Sequence, residues 1–224
     1  MEVEKTNNKN KIIVAVILVI LVIGGYFYFG GNDMGDNVAV VNGESISMST
    51  YNTQLDSAIA LYKSQGLDIT NADNVSRIKT EVLGGLIDNE LVSQKILEAG
   101  IKINSEEIER QFQSILTQTG GIEGLNAELA KNNITEEQLR ENISKQLAAQ
   151  AYLTQNVDMK SITVSDDEVV QFYSNYSKTQ ESVPTLEEIG AQIKQQIVLN
   201  KQQAMVKEFI ASLRTGAKIE TIAI

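Results

Sequence analysis

Apolar residues recur at helical spacing through most of the chain. After Ser49 they return every three or four positions, in segments separated by glycine, asparagine or proline, which places them on one face of a helix. Several helix starts carry a short polar residue with Glu or Gln three positions later, a pattern in which the two side chains cap backbone amides reciprocally. These starts begin at Asn104, Thr135, Ser165 and Thr185. The pattern predicts helices over residues 49–65, 72–99, 105–117, 122–131, 136–157, 166–176 and 186–215.

Two short segments at the ends of this helical region have the pattern of strands. Val38 to Ser47 is typical of two strands joined by an Asn42-Gly43 turn, and residues 217–224 alternate apolar with polar side chains. A lone two-stranded hairpin is marginally stable in water, so it needs a further partner. We therefore expect the two segments to pair antiparallel as a small β clasp that closes a mainly α fold.

The first part of the chain contains a long apolar run. Ile12 to Phe29 is 18 residues without a charge, which as a helix is about 27 Å long and close to the thickness of a bilayer's hydrocarbon core. Lysines precede the run, which predicts a single-pass anchor in the lipid bilayer with residues 1–11 cytoplasmic, 30–37 a linker and 38–224 the extracytoplasmic domain, on the periplasmic or cell-wall side. The alternative is a cleaved signal peptide, although no A-x-A-like cleavage site follows the run.

Composition excludes several function classes. The chain has no cysteine and no histidine, so disulfides, thiol nucleophiles, imidazole catalysis and the usual zinc sites are ruled out. The net charge of −10 disfavours binding to nucleic acid. Acidic clusters such as Asp166 to Glu168 fall at predicted helix N-termini, where the helix dipole explains them. We therefore predict no catalytic residue, no cofactor and no metal site.

Gly84-Gly85 interrupts the second predicted helix. Each glycine lowers helix stability by about 1 kcal/mol relative to alanine. We expect the pair to mark close packing or a bend.

The order of several motifs resembles the chaperone portion of the SurA/PrsA/PpiD group. The matching segments are 38–47 (VAVVNGESIS), 82–92 (VLGGLIDNELV), 99–109 (AGIKINSEEIE), 162–169 (ITVSDDEV), 186–197 (LEEIGAQIKQQI) and 218–220 (KIE). The resemblance implies a multi-helix chaperone domain whose last helix and closing strand return to its beginning. Proteins of this group usually carry a parvulin prolyl isomerase module after the 162–169 segment.

That module has no room in this chain. Only residues 177–182 stand between Tyr176 and Val183, whereas a parvulin module needs on the order of a hundred residues. Parvulin sites also use histidines, which the chain lacks. The resemblance therefore implies the non-catalytic part of the family, with the missing insertion at about 177–182, and we expect no enzyme activity.

The resemblance implies an ATP-independent holdase or foldase for unfolded or nascent exported polypeptides. No Gly-rich phosphate-binding loop is present, which agrees with passive binding through apolar surface. A homodimer remains open. The alternative function is a membrane-tethered helical scaffold for one fixed protein partner, without general chaperone activity. The client-binding candidates are the apolar residues Met48, Tyr51, Leu55, Tyr62, Phe112, Ile115 and Leu116.

Overall fold

The computed structural model describes residues 37–132, 134–178 and 183–222. Within these ranges the fold is mainly helical, with seven α-helices, one 3₁₀ turn at Met159–Ser161 and three short strands. In chain order the strands and helices are β1 (Asn37–Val41), β2 (Glu44–Ser47), α1 (Met48–Ser64), α2 (Ala72–Glu98), α3 (Ser105–Gln118), α4 (Ile122–Lys131), α5 (Glu136–Asn156), α6 (Asp166–Ser177), α7 (Leu186–Thr215) and β3 (Ile219–Thr221).

The helices begin and end within one residue of the predicted bounds, because their starts are encoded locally. The Thr135 hydroxyl accepts from the Gln138 amide at 3.2 Å, and Gln138 Oε1 accepts from the Thr135 amide at 2.8 Å. Ser165 and Glu168 form the same reciprocal box. Asn104 caps α3 differently from the prediction, since its Oδ1 accepts from the Glu106 amide at 2.9 Å. The four predicted starts all correspond to helix N-termini in the structure.

The predicted β clasp is confirmed. The strand order is β2-β1-β3 and both pairings are antiparallel, with Val40 opposite Ser45 on one side and opposite Glu220 on the other. Asn42 and Gly43 join β1 to β2 with φ values of 53° and 95°, as a tight hairpin turn requires. The two ends of the described chain are therefore joined through the central strand β1.

The Asn42 side chain connects this sheet to helix α2. Its Oδ1 accepts from the Lys218 amide at 2.8 Å, and its Nδ2 donates to Gln94 Oε1 at 2.8 Å. The Asn42 amide also donates to the Lys218 carbonyl oxygen at 2.8 Å. Gln94 Nε2 in turn donates to the Val41 carbonyl oxygen at 2.9 Å and to Glu90 Oε1 at 2.7 Å. One carboxamide thus bonds to both the returning chain and the helix that covers β1.

The described chain divides into two compact units. The first contains the residues up to Tyr152 together with those from Gly216 onward, and the second contains Leu153–Thr215. The domain bounds predicted from the sequence stay a prediction. Residues 179–182 lie outside the described residues, so the predicted insertion point also stays a prediction.

The first unit has its core beneath the sheet and a second cluster among α3, α4 and α5. Val38, Ala39, Val41 and Ile46 are fully buried in the sheet, which packs against α1 and α2. In the second cluster the Arg140 guanidinium lies 3.7 Å from the centroid of the Phe112 ring and forms ion pairs with Glu109 and Glu136. The cluster's buried members are Phe112, Ile115, Leu125, Leu129, Leu139, Ile143 and Leu147.

The second unit is built mainly by the pairing of α6 with α7. Lys201 Nζ on α7 lies 2.6 Å from Glu168 Oε1 on α6 and donates to the Thr163 carbonyl oxygen at 2.7 Å. The Lys201 ammonium holds the pKa of the Glu168 carboxyl below its usual value, with help from the Ser165 amide. This ion pair joins the start of α6 to the middle of α7.

The predicted localisation requires a correction. No helix among the described residues is long and apolar enough to cross a bilayer, so the assignment as a single-pass membrane protein is not retained. The proposed anchor over residues 12–29, its cytoplasmic tail and most of the linker lie outside the described residues. The prediction rested on an apolar run alone, and the described part of the chain contains no spanning helix that would support it.

Two helical glycines have opposite surroundings. A Cβ atom at Gly124, in the first turn of α4, would overlap the carbonyl oxygen of Thr119. A Cβ atom at Gly85, in α2, would meet no atom within 4 Å. Of the two alternatives predicted for the Gly84-Gly85 pair, close packing is therefore not found at Gly85, and a bend stays a prediction.

We predict that Asn42→Ala lowers the free energy of unfolding by about 2–3 kcal/mol. The substitution removes two side-chain hydrogen bonds and places alanine at a left-handed φ, which costs about 1–2 kcal/mol by itself. Urea unfolding followed by circular dichroism measures the change. Asn52→Ala, at an exposed position of α1, is the control and should have little effect. An equal loss in both variants would contradict the role assigned to Asn42.

We also predict that Gly124→Ala and Gly85→Ala change stability in opposite directions. Alanine at Gly124 should cost about 1–3 kcal/mol, because the backbone must shift to relieve the overlap with Thr119. Alanine at Gly85 should raise stability by about 0.5–1 kcal/mol through helix propensity alone. Thermal melts of the two variants beside the parent chain test this, and a shift in the same direction for both would be evidence against it.

Candidate functional site

Helices α1 and α2 form a pair whose contact face leaves part of its apolar surface open. The connection between them is short, which favours antiparallel neighbours, and the two helices pack directly against each other. The start of α2 is set by Asn71, whose Oδ1 accepts from the amides of Asp73 and Asn74. The Tyr62 hydroxyl, near the end of α1, donates to Glu81 Oε2 on α2 at 2.8 Å.

A groove with a cavity volume of about 260 Å³ runs along this helix pair. Its lining residues recur every three or four positions on each helix, so one face of each helix contributes them. We call it the α1–α2 groove. Its lining consists of Gln54, Ser57, Ala58, Leu61 and Tyr62 from α1 with Ile78, Glu81, Val82, Gly85, Leu86 and Asn89 from α2.

Small residues keep the middle of the groove open. One helical turn from the Tyr62–Glu81 hydrogen bond lie Ala58 on α1 and Gly85 on α2, and neither has a side chain long enough to fill the space between the helices. Ile78 and Leu86 are buried beneath the groove, whereas Leu61 is 38% exposed at its edge. The groove therefore presents apolar surface that the described residues leave uncovered.

The two ends of the groove are polar. At one end the Tyr62 hydroxyl donates to the Glu81 carboxylate, which raises the pKa of Tyr62 because ionisation would break this hydrogen bond, with smaller contributions from burial and from the Glu81 charge. At the other end lie Gln54 and Asn89, whose carboxamides are half-buried and have no hydrogen-bond partner among the described residues. Carboxamides both donate and accept, as peptide groups do.

This arrangement suits binding rather than covalent chemistry. Apolar side chains that enter the groove would leave water and gain contacts with Leu61 and Val82, while the polar ends could hydrogen-bond a peptide backbone or side chain. Among the described residues no cluster of three or more acidic side chains is arranged to hold a metal ion.

The candidates predicted on α1 fall in three different environments. Tyr62 lines the α1–α2 groove. Tyr51 and Leu55 are buried, with 2% and 9% of their surface exposed, and belong to the core of the first unit. Burial raises the pKa of the Tyr51 hydroxyl, which has no hydrogen-bond partner among the described residues. Met48, the first residue of α1, is half-buried.

The candidates predicted on α3 lie away from the groove. Phe112 and Ile115 are members of the buried cluster, and Leu116 is a half-buried residue that packs against it. The structure therefore does not bring the predicted candidates together at one surface. Their assignment as client contacts stays a prediction.

Sequence reasoning missed most of the groove. Leu61, next to the predicted Tyr62, is the exposed apolar residue at its edge, and Gly85 had been interpreted only as a packing or bending position. One signal was available: small residues at Ser57-Ala58 and Gly84-Gly85 interrupt the apolar faces of two consecutive helices. Facing small residues leave a gap between helices unless the backbones approach closely, and at Gly85 an added Cβ would meet no atom within 4 Å.

Comparison with known proteins agrees with this architecture. The family model described as the SurA-like N-terminal domain matches residues 2–147. A sequence comparison with curated proteins finds no significant match. A similar solved structure comes from work on the virulence factor PEB4 and the periplasmic protein Cj1289, two structurally related SurA-like chaperones of Campylobacter jejuni. It has 15% sequence identity and a TM-score of 0.52, and the alignment covers 85% of this chain and 100% of that one, which shows a shared fold.

We predict that Tyr51→Phe and Tyr62→Phe have opposite effects on stability. Removing the buried Tyr51 hydroxyl, which lacks a partner, should raise the free energy of unfolding by about 1 kcal/mol, since a desolvated polar group is eliminated. Removing the Tyr62 hydroxyl breaks an exposed hydrogen bond to Glu81 and should lower it by about 0.5–1 kcal/mol. Urea titrations measure both changes. A destabilised Tyr51→Phe variant would mean that this hydroxyl is satisfied.

Proposed function

The chain belongs to the family of SurA-like N-terminal domains, and from that premise we propose that it is an ATP-independent chaperone that binds unfolded polypeptides. The α1–α2 groove is the observation that supports this proposal most directly. It offers apolar surface, with Leu61 at its edge, in a part of the chain that the family model covers. An unfolded client exposes the apolar side chains that such a groove can remove from water.

The size of the groove favours weak and reversible binding. Burial of apolar surface contributes about 25 cal/mol per Å², and an unfolded client loses conformational entropy when a segment is ordered. A groove of about 260 Å³ holds only a few side chains, so each contact is short-lived. A client would be released when it buries its own apolar residues, which requires no nucleotide. The sequence accordingly contains no Gly-rich phosphate-binding motif.

The proposal includes no enzyme activity. No parvulin module is detected in the 224 residues, and the family match is to a chaperone domain. We place the point at which relatives carry that module at about residues 177–182, in the connection between α6 and α7. The residues of the groove act by contact with the client and do not carry out a reaction.

We predict that Gly85→Phe abolishes most of the chaperone activity while Gly85→Ala preserves it. A Cβ at this position meets no atom within 4 Å, and we expect a phenyl ring there to fill the open middle of the groove. The full-length parent and both variants would be mixed with two unrelated, thermally aggregating proteins, and light scattering followed over time. Melting curves of each variant check that the fold is retained.

A second matched pair tests the edge of the groove. Leu61→Glu places a charge beside the apolar lining, whereas Leu97→Glu makes the same change at a residue that is 77% exposed and does not line the groove. Aggregation suppression should fall at least about threefold for the first variant only, because a charge beside a bound apolar side chain opposes its desolvation. If the parent chain suppresses neither client at molar excess, the chaperone proposal is wrong and the fixed-partner scaffold is the better hypothesis.

A further inference from the structure

Glu81 is the one charged residue that lines the described α1–α2 groove. Its Oε2 accepts the Tyr62 hydroxyl at 2.8 Å, and its Oε1 has no hydrogen-bond or ion-pair partner among the described residues. A carboxylate can accept several hydrogen bonds, so Glu81 retains capacity for a donor from a bound molecule. The Tyr62 ring beside it adds a face that attracts cations.

Arg77 is a cationic side chain whose charge acts on Tyr62 at this end of the groove. It lies one helical turn before Glu81 on α2, and its charge reaches Tyr62, but it does not line the groove. No ion pair joins it to an acidic residue within the described part of the chain. The Glu81 carboxylate is therefore not neutralised by a salt bridge across the groove, and the net charge of −10 adds to the attraction for a cation.

The carboxamides at the opposite end of the groove suit a bound molecule that has hydrogen-bonding groups of its own. Gln54 and Asn89 hold half-buried carboxamides without partners among the described residues, one on each helix. An extended peptide has unpaired N–H and C=O groups that such carboxamides can satisfy, whereas a purely apolar molecule has none. The groove has an apolar middle, carboxamides at one end and a carboxylate at the other. Together these features match an extended polypeptide segment.

We infer that the α1–α2 groove selects polypeptide segments in which an apolar side chain stands next to lysine or arginine, and disfavours segments with an acidic neighbour. In the bound segment the apolar side chain lies between Ala58 and Gly85, and the basic side chain donates a hydrogen bond to Glu81 Oε1. The carboxamides of Gln54 and Asn89 bond to the backbone of the segment. This inference rests on the proposed function, since it names the class of client that the same groove receives.

Two fluorescent, unstructured peptides test the selection. They share the same leucine and phenylalanine residues, which are flanked by lysines in one peptide and by glutamates in the other. Anisotropy titrations with the full-length chain should give about three- to tenfold tighter binding of the lysine peptide at low salt. The reason is that Glu81 attracts the lysine side chains of one peptide and repels the glutamate side chains of the other. The preference should shrink as ionic strength rises.

Matched charge variants separate the groove from the overall charge. Glu81→Gln should remove most of the preference, whereas Asp56→Asn, an equal change of charge on a residue of α1 outside the groove, should retain it. Gly85→Phe should weaken binding of both peptides. Equal affinity for the two peptides, or equal effects of Glu81→Gln and Asp56→Asn, would overturn the inference.

The outcomes also distinguish this inference from the proposed function. If the chain suppresses aggregation but binds both peptides equally, the chaperone proposal stands and the selection is wrong. If it binds neither peptide and suppresses no aggregation, both fail. If Gly85→Phe instead converts a dimer of the chain to monomers in sedimentation, the groove receives a second copy and the inference is overturned.

Discussion

The hydrogen bonds of the Asn42 carboxamide are the constraint on which the first unit depends. This one side chain bonds to Lys218 in the returning chain and to Gln94 on α2, while its own backbone forms the left-handed turn between β1 and β2. Asparagine tolerates that backbone conformation better than most residues because its short polar side chain can bond locally. Position 42 therefore needs a residue that tolerates a left-handed backbone and whose side chain can both accept a hydrogen bond from Lys218 and donate one to Gln94. Asparagine meets all three requirements.

The position of α2 then determines the groove. Gln94, near the end of α2, bonds to the Val41 carbonyl oxygen, so the helix is held against the sheet at one end. At the other end the Tyr62–Glu81 hydrogen bond joins α2 to α1. Between these two points, Ala58 and Gly85 leave the contact between helices incomplete. The glycine lowers the helix propensity of α2 by about 1 kcal/mol relative to alanine, and no close contact compensates for that loss.

The same feature explains why a surface that binds apolar segments need not destabilise the fold. Most of the first unit's buried apolar residues, in the sheet and in the α3–α4–α5 cluster, do not line the groove. Apolar residues at the edge of the groove are few, and small residues separate them. The exposed apolar area stays limited, which reduces the tendency of the chain itself to aggregate.

Local chemistry in the sequence was sufficient to predict the helix bounds and the hairpin turn. Capping pairs such as Thr135–Gln138 and the Asn42-Gly43 turn act over a few residues, so their outcome does not depend on the rest of the fold. The pairing of β1 with β3 was also predictable, because a hairpin needs another strand and the chain offered one other candidate. The resemblance to the SurA group supplied the expectation of a chaperone.

Tertiary structure alone decided which apolar residues are available to a ligand. Tyr51, Leu55 and Tyr62 all lie on α1 and look alike in the sequence, yet the first two are buried and Tyr62 borders the groove. Phe112 and Ile115 likewise have the spacing of a helix face, which the structure buries in the α3–α4–α5 cluster. Periodicity identifies the apolar face of a helix but not its partner. Whether that face is covered depends on side-chain sizes on another helix, here Gly85 opposite Ala58, and only the packed fold brings those residues together.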